Sequence, residues 1–309
     1  MSGRPGSGRT GSGRTGVDVG GTSTKGLRLG EDGEVLAEHR RPTPSPDPHG
    51  RGVAAGVAEV LRALGTPDDE PVGVALPGVV DELAGTAVAS ANLGWRDLPV
   101  LDLLETAAGR DVLLCHDVRA GAVAEAAARH RAGDPGPADE EVTVFLPVGT
   151  GVAAAVLLDG RPLVAGGWAG EVGQLLLAEG PHAGLRIEEV ASAAATARRA
   201  GAPDARAVAE RVRSGDPVAA RVWRETVEVL AGALAGLVAA VAPSLVVVGG
   251  GLSQAGDLLL DPLAAELARR TPGLRVPELV PARHGDTAAA RGAALLAAAA
   301  RRPTAGAHR

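Results

Sequence analysis

A glycine turn flanked by an aspartate and a lysine is the part of this sequence whose residue types point most directly to chemistry. Asp18 ends a short apolar stretch, Gly20 and Gly21 follow it, and hydroxyl side chains and Lys25 come next. Glycines let backbone N–H groups approach anionic oxygens, and a carboxylate can hold a hydrated metal ion. Lys25 is also the single lysine of a chain whose other basic residues are all arginine. The segment predicts a phosphate-binding turn, with an ordinary hairpin turn as the alternative.

The composition limits the class of protein. The chain has 309 residues, 45% of them hydrophobic, which is enough for one large or two moderate domains. With one Phe, no Tyr and three Trp, the core must consist of Leu, Val and Ala, with helices and strands in close contact. A net charge of −6 and few aromatic side chains argue against nucleic-acid binding.

The single cysteine and the apolar segments indicate a cytoplasmic protein without a membrane span. Cys115 alone cannot form an internal disulfide or a cysteine-clustered metal site. The N-terminal region lacks the apolar core of a signal peptide. Residues 229–256 carry no charge, but Pro243 interrupts them, so we expect a buried helix followed by a buried strand.

Hydrophobic periodicity predicts alternating strands and helices after a disordered, basic tail at residues 1–15. The expected strands are 16–20, 22–29, 34–40, 72–76, 111–115, 142–147, 152–159, 244–248 and 274–280. The expected helices are 52–65, 99–108, 118–131, 187–200, 204–213, 216–240, 256–270 and 286–301. Residues 133–141 have the composition of a linker, and residues 42–48 form a proline-rich loop.

A glycine-hinged hairpin occurs twice, around residues 20–21 and again around 149–151, each time followed by strands and helices. This repetition predicts a duplicated α/β domain with a central cleft. A plain Rossmann sheet is disfavoured because its first strand leads directly into a helix. The P-loop motif is absent, and two G-x-G-x-x-G matches in the tail lack the required strand and helix.

Seven short segments, in order, carry a resemblance to a known family. They are 18–22, 76–81, 91–95, 116–117, 149–152, 170–174 and 248–252. Together they resemble the ROK family, and within it the bacterial glucokinase-like proteins, over roughly residues 16–300. The resemblance implies an actin-like, hexokinase-like fold of two ribonuclease-H-type domains with an interdomain cleft. The boundaries we expect are 16–118 with 287–302 for the smaller domain and 119–286 for the larger one.

The same resemblance implies the site. Asp117, at the end of an apolar strand, is expected to be the general base, although an N-cap of the following helix is an alternative reading. Phosphates and Mg²⁺ are assigned to Asp18, Gly20, Gly21, Thr22, Lys25, Gly149, Thr150 and Gly151, and the adenosine end to Gly249, Gly250 and Gly251. The sugar is assigned to Gly78, Asn92, His116, Glu171, Gln174 and Glu188. Plain turns remain alternatives at the second and third glycine turns and at Asn92.

Three departures from the family pattern concern the sugar side. Gln174 stands where many family kinases have a histidine, and the cysteine-rich loop that follows it in those kinases is shorter here and has no cysteine. We therefore expect no structural zinc, because His182 alone cannot form a tetrahedral site. His116 replaces the usual asparagine before the aspartate. Glu188 is the expected sugar-binding glutamate, with Glu189 as its neighbouring alternative.

These features predict an ATP- and Mg²⁺-dependent hexose kinase, with glucose as the first expected substrate, acting as a cytoplasmic homodimer. A polyphosphate-using glucokinase is a second candidate, because such enzymes also lack the zinc cysteines and have a lysine before glycine in the phosphate turn. A sugar-binding family member with weak or no kinase activity is a third. A sugar-responsive repressor is disfavoured because only about fifteen residues precede the first strand.

Overall fold

A computed structural model of the chain describes residues 13–133 and 142–300. The strands are β1 (Arg14–Val19), β2 (Ser23–Leu29), β3 (Val35–Pro42), β4 (Val72–Leu76), β5 (Val79–Asp81), β6 (Thr86–Ser90), β7 (Trp95–Leu98), β8 (Leu113–His116), β9 (Val142–Pro147), β10 (Ala155–Leu158), β11 (Arg161–Pro162), β12 (Leu245–Gly249) and β13 (Glu278–Pro281). The helices are α1 (Arg51–Ala63), α2 (Val100–Ala108), α3 (Asp117–Arg131), α4 (Ile187–Ala191), α5 (Ala193–Arg199), α6 (Ala205–Arg213), α7 (Pro217–Val241), α8 (Gly250–Ser253), α9 (Asp257–Arg270) and α10 (Ala288–Ala300). Short 3-10 helices cover Ala165–Gly167, Val172–Gln174 and Gly285–Thr287.

The described residues divide into two compact units, one within Met1–Ala120 and Ala289–Arg309 and the other within Gly121–Ala288. Each unit contains a five-stranded sheet, in the order β3-β2-β1-β4-β8 in the first and β11-β10-β9-β12-β13 in the second. In both, the first three strands in the chain are antiparallel neighbours and the last two pair in parallel. The same strand order in both sheets is the duplicated α/β arrangement that the repeated glycine hairpin predicts.

The first unit packs an alanine-rich helix directly on its sheet. A Cβ atom on Gly16 of β1 would lie 1.8 Å from the backbone oxygen of Ala290, and one on Gly73 of β4 would lie 2.1 Å from that of Ala293. Only glycine permits this approach of α10 to the sheet, because a methyl group would overlap backbone atoms that cannot rotate away. On the other face, α1 and α2 cover a core of Val, Leu and Ala. Because this core has few aromatic side chains to fill space, the backbones of α10 and of the strands pack in direct contact.

The second unit has its core around the long helix α7. Buried side chains along it, among them Leu230 and Leu234, pack with the valines of β9 and β12 and with leucines of α9. Trp223 lies in this core and donates its indole N–H to the carbonyl oxygen of Leu258 at 3.0 Å. Asp216 accepts hydrogen bonds from the backbone amides of Val218 and Ala219 at the start of α7 and so caps it.

Most expected elements are found within a few residues of their predicted bounds, and three differences have clear causes. A three-stranded antiparallel sheet, β5-β6-β7, was not predicted, because its strands are short and irregular. The expected helix 187–200 is two helices: Ser192 is extended and its hydroxyl caps α5 by accepting from the amide of Ala195. The expected strand 274–280 is paired only as β13.

The uncharged stretch 229–256 lies in α7, β12 and α8, as a helix followed by a buried strand. Across the described ranges, no helix is long and apolar enough to cross a membrane. The expected tail up to residue 12, the linker from 134 to 141 and the last expected positions, 301 and 302, lie outside the described residues.

The close approach of α10 generates a stability prediction. We expect Gly73→Ala to destabilise the protein by about 2 kcal/mol or more, because its methyl group meets the fixed backbone of Ala293. Gly56→Ala, in α1 of the same unit, is the matched control, since its methyl group meets the movable guanidinium of Arg41. That change should be neutral or stabilise by up to about 1 kcal/mol. Urea unfolding of both variants measures the difference, and equal effects would contradict the packing account.

Candidate active site

In the first unit, three segments with chemistry-bearing residues follow neighbouring parallel strands. Strands β1, β4 and β8 pair in parallel, with Asp18 opposite Ala75 and Leu76 opposite His116. Asp18 with the glycine turn, Gly78, and His116 with Asp117 therefore all lie at one edge of the sheet, where the carboxyl ends of these strands meet. In open α/β sheets this edge is where ligands bind.

The β1–β2 turn places a buried carboxylate and a lysine beside an exposed turn residue. Asp18 is 9% exposed and stands directly opposite Lys25 in the antiparallel register, so the two side chains share one face of the hairpin. The amide of Gly20 donates to the carbonyl oxygen of Ser23 at 3.0 Å and closes the turn. Thr22 is exposed at its tip. A negative and a positive group beside exposed turn residues can hold a cation and a phosphate respectively.

Of the residues assigned to the sugar, Asn92 contacts this turn and Gly78 packs against β6. A Cβ atom on Gly21 would lie 3.4 Å from Cβ and Nδ2 of Asn92, so the asparagine lies against the glycine turn. Gly78, at φ +98°, faces the backbone oxygen of Ala89, which a Cβ atom there would approach to 2.2 Å. Gly78 is thus fixed by packing as well as by any role in binding.

Asp117 is a partly exposed carboxylate that lacks, within the described part of the chain, the hydrogen bond of a helix cap. Its side chain is 29% exposed, and Oδ1 accepts from the amide of Val118 at 2.7 Å and lies 3.3 Å from Nε2 of His116. An N-cap accepts from the second or third amide of its helix, as Asp204 does from Ala207 at 2.8 Å. Among the described residues Asp117 has no such bond. Both of its contacts use Oδ1, which leaves Oδ2 to accept a proton.

His116 is buried beside this carboxylate, with 3% of its surface exposed. Burial lowers the pKa of the imidazole, and the nearby Arg119 guanidinium adds to this. Asp117, Glu82 and a hydrogen bond to the backbone of Gly78 act in the opposite direction. The ring is therefore neutral near pH 7. Its Nδ1 atom is buried without a hydrogen-bond partner in the part of the chain that the structure describes.

In the second unit, two glycine turns adjoin each other at the ends of parallel strands. Gly149–Gly151 follows β9, and Gly249–Gly251 ends β12, whose Gly249 pairs with Pro147. Val148 donates to the carbonyl oxygen of Gly249 at 2.9 Å. A Cβ atom on Gly250, at φ +77°, would lie 2.4 Å from the carbonyl oxygen of Val148, so only glycine fits there.

A polar cluster borders the first of these turns. Oε2 of Glu188 would be 3.0 Å from a Cβ atom on Gly151, and its Oε1 accepts from Nε2 of Gln174 at 3.0 Å. The Oε1 atom of Gln174 in turn accepts from Arg186 at 2.9 Å. Glu189 accepts from the backbone amide of Arg186 at 2.8 Å, and the bonds to Arg186 lower the pKa of Glu189. The geometry thus places Glu188, not Glu189, beside Gly151.

Glu171 and the loop 175–186 flank this cluster. Glu171 is half-buried at the start of the 3-10 helix Val172–Gln174. The loop is tied back by His182, whose Nε2 lies 3.2 Å from the carboxylate of Glu225 in α7. Arg199 of α5 contacts both His182 and Glu225. The described residues contain no group of three His, Cys, Asp or Glu side chains arranged to hold a metal ion.

A cavity of about 300 Å³ adjoins the Gly249–Gly251 turn. Helix α6 supplies Ala205, Arg206, Ala209, Glu210 and Arg213 to its wall, and the turn with α8 supplies Gly251, Leu252, Gln254 and Ala255. Arg206 and Glu210 are paired with each other at 3.1 Å. The cavity is lined by both charged and small apolar residues, and it lies directly beside Gly251.

Sequence reasoning missed three residues that these contacts bring to the site: Glu82, Arg119 and Arg186. Glu82 Oε1 accepts from the amide of His116 at 2.9 Å and from Nε of Arg119 at 2.8 Å. An isolated charged residue in a sequence is usually interpreted as solvent-exposed. Glu82 and Arg119 are 37 positions apart, so no local pattern links them. One available signal was the arginine two positions after Asp117, in the first turn of a helix where a cation is unfavourable without a partner.

The repeated sheets define an α/β protein of the actin-like, hexokinase-like class, and comparison with known proteins identifies the family. A family model described as the ROK family matches residues 14–300. This chain belongs to the ROK family. The family membership that the sequence motifs implied is therefore confirmed over nearly the whole sequence.

Relatives with known names support both the family and the fold. The chain is 30% identical over 274 residues to a glucokinase of Thermotoga maritima, covering 80% of this chain and 84% of that one. It is 30% identical over 296 residues to an N-acetylmannosamine kinase of Escherichia fergusonii, covering 91% and 97%. The crystal structure of a ROK family glucokinase from Streptomyces griseus, in complex with glucose and AMPPNP, superposes with a TM-score of 0.78 at 26% identity, covering 93% and 99%. These similarities confirm the expected actin-like, hexokinase-like fold.

Burial of His116 makes stability depend on pH. Because its pKa is lowered in the folded state, the unfolded chain binds the proton more readily below the ordinary value of about 6.5. The stabilisation is thus complete above that pH and is lost as the pH falls towards the folded pKa. We expect His116→Asn to lose less stability than the unmodified chain between pH 7.5 and 5.5 in urea titrations.

The control for this experiment is His49→Asn, because His49 is exposed. It should keep the pH dependence of the unmodified chain. An identical pH dependence in all three proteins would mean that His116 does not carry the effect.

Proposed function

We propose that this protein is an ATP-dependent sugar kinase that transfers the γ-phosphoryl group to a hexose hydroxyl. The observation that carries the proposal is Asp117, a partly exposed carboxylate at the carboxyl end of β8 whose Oδ2 is uncommitted, in a chain of the ROK family. The named relatives act on glucose or N-acetylmannosamine by their names. Glucose is our first candidate, and an amino sugar is the second.

Phosphoryl transfer needs positioning, charge neutralisation and a base for the attacking hydroxyl. We assign the base to Asp117, with Oδ2 receiving the hydroxyl proton. Its partial exposure lets a substrate reach it, while its neighbour His116 is buried. The neutral imidazole adds no charge that would compete for the carboxylate.

The phosphate groups are assigned to the β1–β2 turn and to its counterpart in the second unit. The first supplies Asp18, Gly20, Gly21, Thr22 and Lys25, and the second supplies Gly149, Thr150 and Gly151. Asp18 suits Mg²⁺, which is held in proteins by one or two carboxylates together with substrate phosphates and water. When bound, the ion would neutralise charge on the phosphates, and Lys25 would add to that effect.

The sugar is assigned to Gly78, Asn92, His116, Glu171, Gln174 and Glu188. The assignment of Gln174 and Glu188 is supported by their hydrogen bonds, because the amide of Gln174 donates to Glu188 and accepts from Arg186. Such a cluster can exchange its internal hydrogen bonds for bonds to sugar hydroxyls, which both donate and accept. We propose the cavity beside Gly251 for the adenosine end of ATP, together with Gly249 and Gly250.

The proposal also includes a cytoplasmic location and contact with a second copy of the chain. Large apolar side chains are exposed between residues 158 and 185 of the second unit, including Trp168 at 60% and Leu176 at 67%. Exposed apolar groups of this size favour contact with another protein surface. We propose a homodimer that uses this segment.

The first prediction from the proposed function tests Asp117 as the general base. Asp117→Asn should lower kcat by roughly two to four orders of magnitude, since the amide cannot take the hydroxyl proton, while ATP and sugar still bind. The assay is coupled ADP release, with ligand binding measured by calorimetry. Asp111→Asn, an exposed aspartate at the other end of the same strand, is the control and should keep full activity. Near-normal turnover of Asp117→Asn would eliminate the assignment.

The second prediction concerns substrates. Across a panel of hexoses and amino sugars, Mg-ATP should support phosphorylation of a hexose, read as ADP release and sugar phosphate formed. Polyphosphate is included as a donor because Lys25 precedes Gly26 in the phosphate turn, the pattern expected of a polyphosphate-using glucokinase. Turnover with polyphosphate alone would favour that candidate. Sugar binding without turnover on either donor would favour a non-catalytic family member.

A further inference from the structure

We infer that Glu82 and Arg119 are positioning residues for the Asp117 base: with His116 they fix the β8–α3 junction so that Oδ1 of Asp117 is engaged and Oδ2 points free. The inference rests on the proposed kinase function. It adds two residues that no motif marked, and it assigns a proton position on His116.

Glu82 connects the junction to the three-stranded sheet. It follows β5, and its Oε1 atom accepts two hydrogen bonds, from the backbone amide of His116 at 2.9 Å and from Nε of Arg119 at 2.8 Å. Because β8 is the edge strand of its sheet, the amide of His116 has no strand partner on its outer side. Glu82 supplies the acceptor that this amide needs, immediately before the catalytic position.

Arg119 holds Glu82 in place. Its side chain is 1% exposed, and Nη2 donates to the carbonyl oxygen of Val80 in β5 at 3.0 Å. A guanidinium keeps its charge in proteins, so a buried one requires its partner carboxylate. Asp81 holds the intervening turn by accepting from the amides of Leu83 at 3.1 Å and Ala84 at 3.0 Å. The residues on both sides of Glu82 are therefore fixed.

The buried imidazole determines which oxygen of Asp117 is engaged. Nε2 of His116 lies 3.3 Å from Oδ1, whereas Nδ1 is buried without a partner among the described residues. A proton on Nε2 provides a donor to Oδ1. A proton on Nδ1 alone would set the lone pair of Nε2 against the carboxylate oxygen. The geometry therefore points to the Nε2–H tautomer and to Oδ2 as the proton acceptor.

The test compares two partly buried Glu–Arg pairs of the first unit. Glu82→Gln removes the charge opposite Arg119, and we expect kcat to fall about tenfold or more with KM for sugar and ATP within about twofold, as for lost alignment of a base. Glu70→Gln is the matched control. Glu70 accepts from Nε of Arg28 at 2.9 Å and from Thr15 at 2.7 Å, at the amino ends of the parallel strands.

Glu70→Gln should lose stability but keep kcat. Equal kcat in the two variants, whether both normal or both reduced, would overturn the inference. If Glu82→Gln does not fold by circular dichroism, Arg119→Lys is the second variant. Its ammonium cannot span Glu82 and Val80 together, so kcat should again fall while KM holds. Unchanged kcat in Arg119→Lys would overturn the inference.

A readout without turnover separates this inference from the proposed function. Nitrogen-15 NMR of the imidazole rings, with the His116 signals identified by their loss in His116→Asn, reports the tautomer directly. We expect the Nε2–H form in the unmodified chain and a shifted ring signal in Glu82→Gln, with no shift in Glu70→Gln. An Nδ1–H form would overturn the inference even in an active kinase. Absence of sugar phosphorylation in a protein with the expected ring signals would refute the proposed function alone.

Discussion

The parallel pairing of β1, β4 and β8 is the constraint on which the site of the first unit depends. Parallel strands align their carboxyl ends, so three segments far apart in the sequence deliver Asp18, Gly78 and Asp117 to one sheet edge. One face of the same strands requires glycine in β1 and β4, since α10 packs against the backbone of both strands. The strands that deliver the carboxylates are thus also the strands on which α10 packs.

The second unit uses the same topology with different chemistry. Its two glycine turns follow β9 and β12, and the carbonyl and amide of Val148 tie them together. No carboxylate precedes these turns as Asp18 precedes the first; the nearest carboxylate is that of Glu188, contributed by α4. The repeated sheet therefore supplies backbone donors in both units, whereas the charged groups of the second unit come from the helices and loop that follow its hairpin.

Local patterns made much of this architecture predictable. The glycine turns, the apolar strands and the capped helices are encoded within a few residues of each other, and the order of short motifs specified the family. The three-stranded sheet was missed because its strands are short and irregular. The Glu82–Arg119 pair was missed because it depends on a contact between residues 37 positions apart. The break at Ser192 was missed because the residues on both sides of Ser192 have a helical sequence pattern. In the structure the Ser192 hydroxyl caps a new helix. The choice between Glu188 and Glu189 likewise required coordinates, since both begin the same helix.

The residues that depart from the family pattern are integrated into hydrogen-bonded clusters. Gln174 bridges Glu188 and Arg186, and its amide supplies both a donor and an acceptor, as an imidazole in a metal site could not. Where zinc-binding relatives are expected to fix the following loop by metal coordination, His182 here ties it to Glu225, and Arg199 balances the charge. Polar side chains that already satisfy one another require a ligand to replace every bond it breaks. Under the proposed assignment of the sugar to this cluster, a sugar that matches its donor and acceptor pattern is therefore favoured over one that merely fits the available volume.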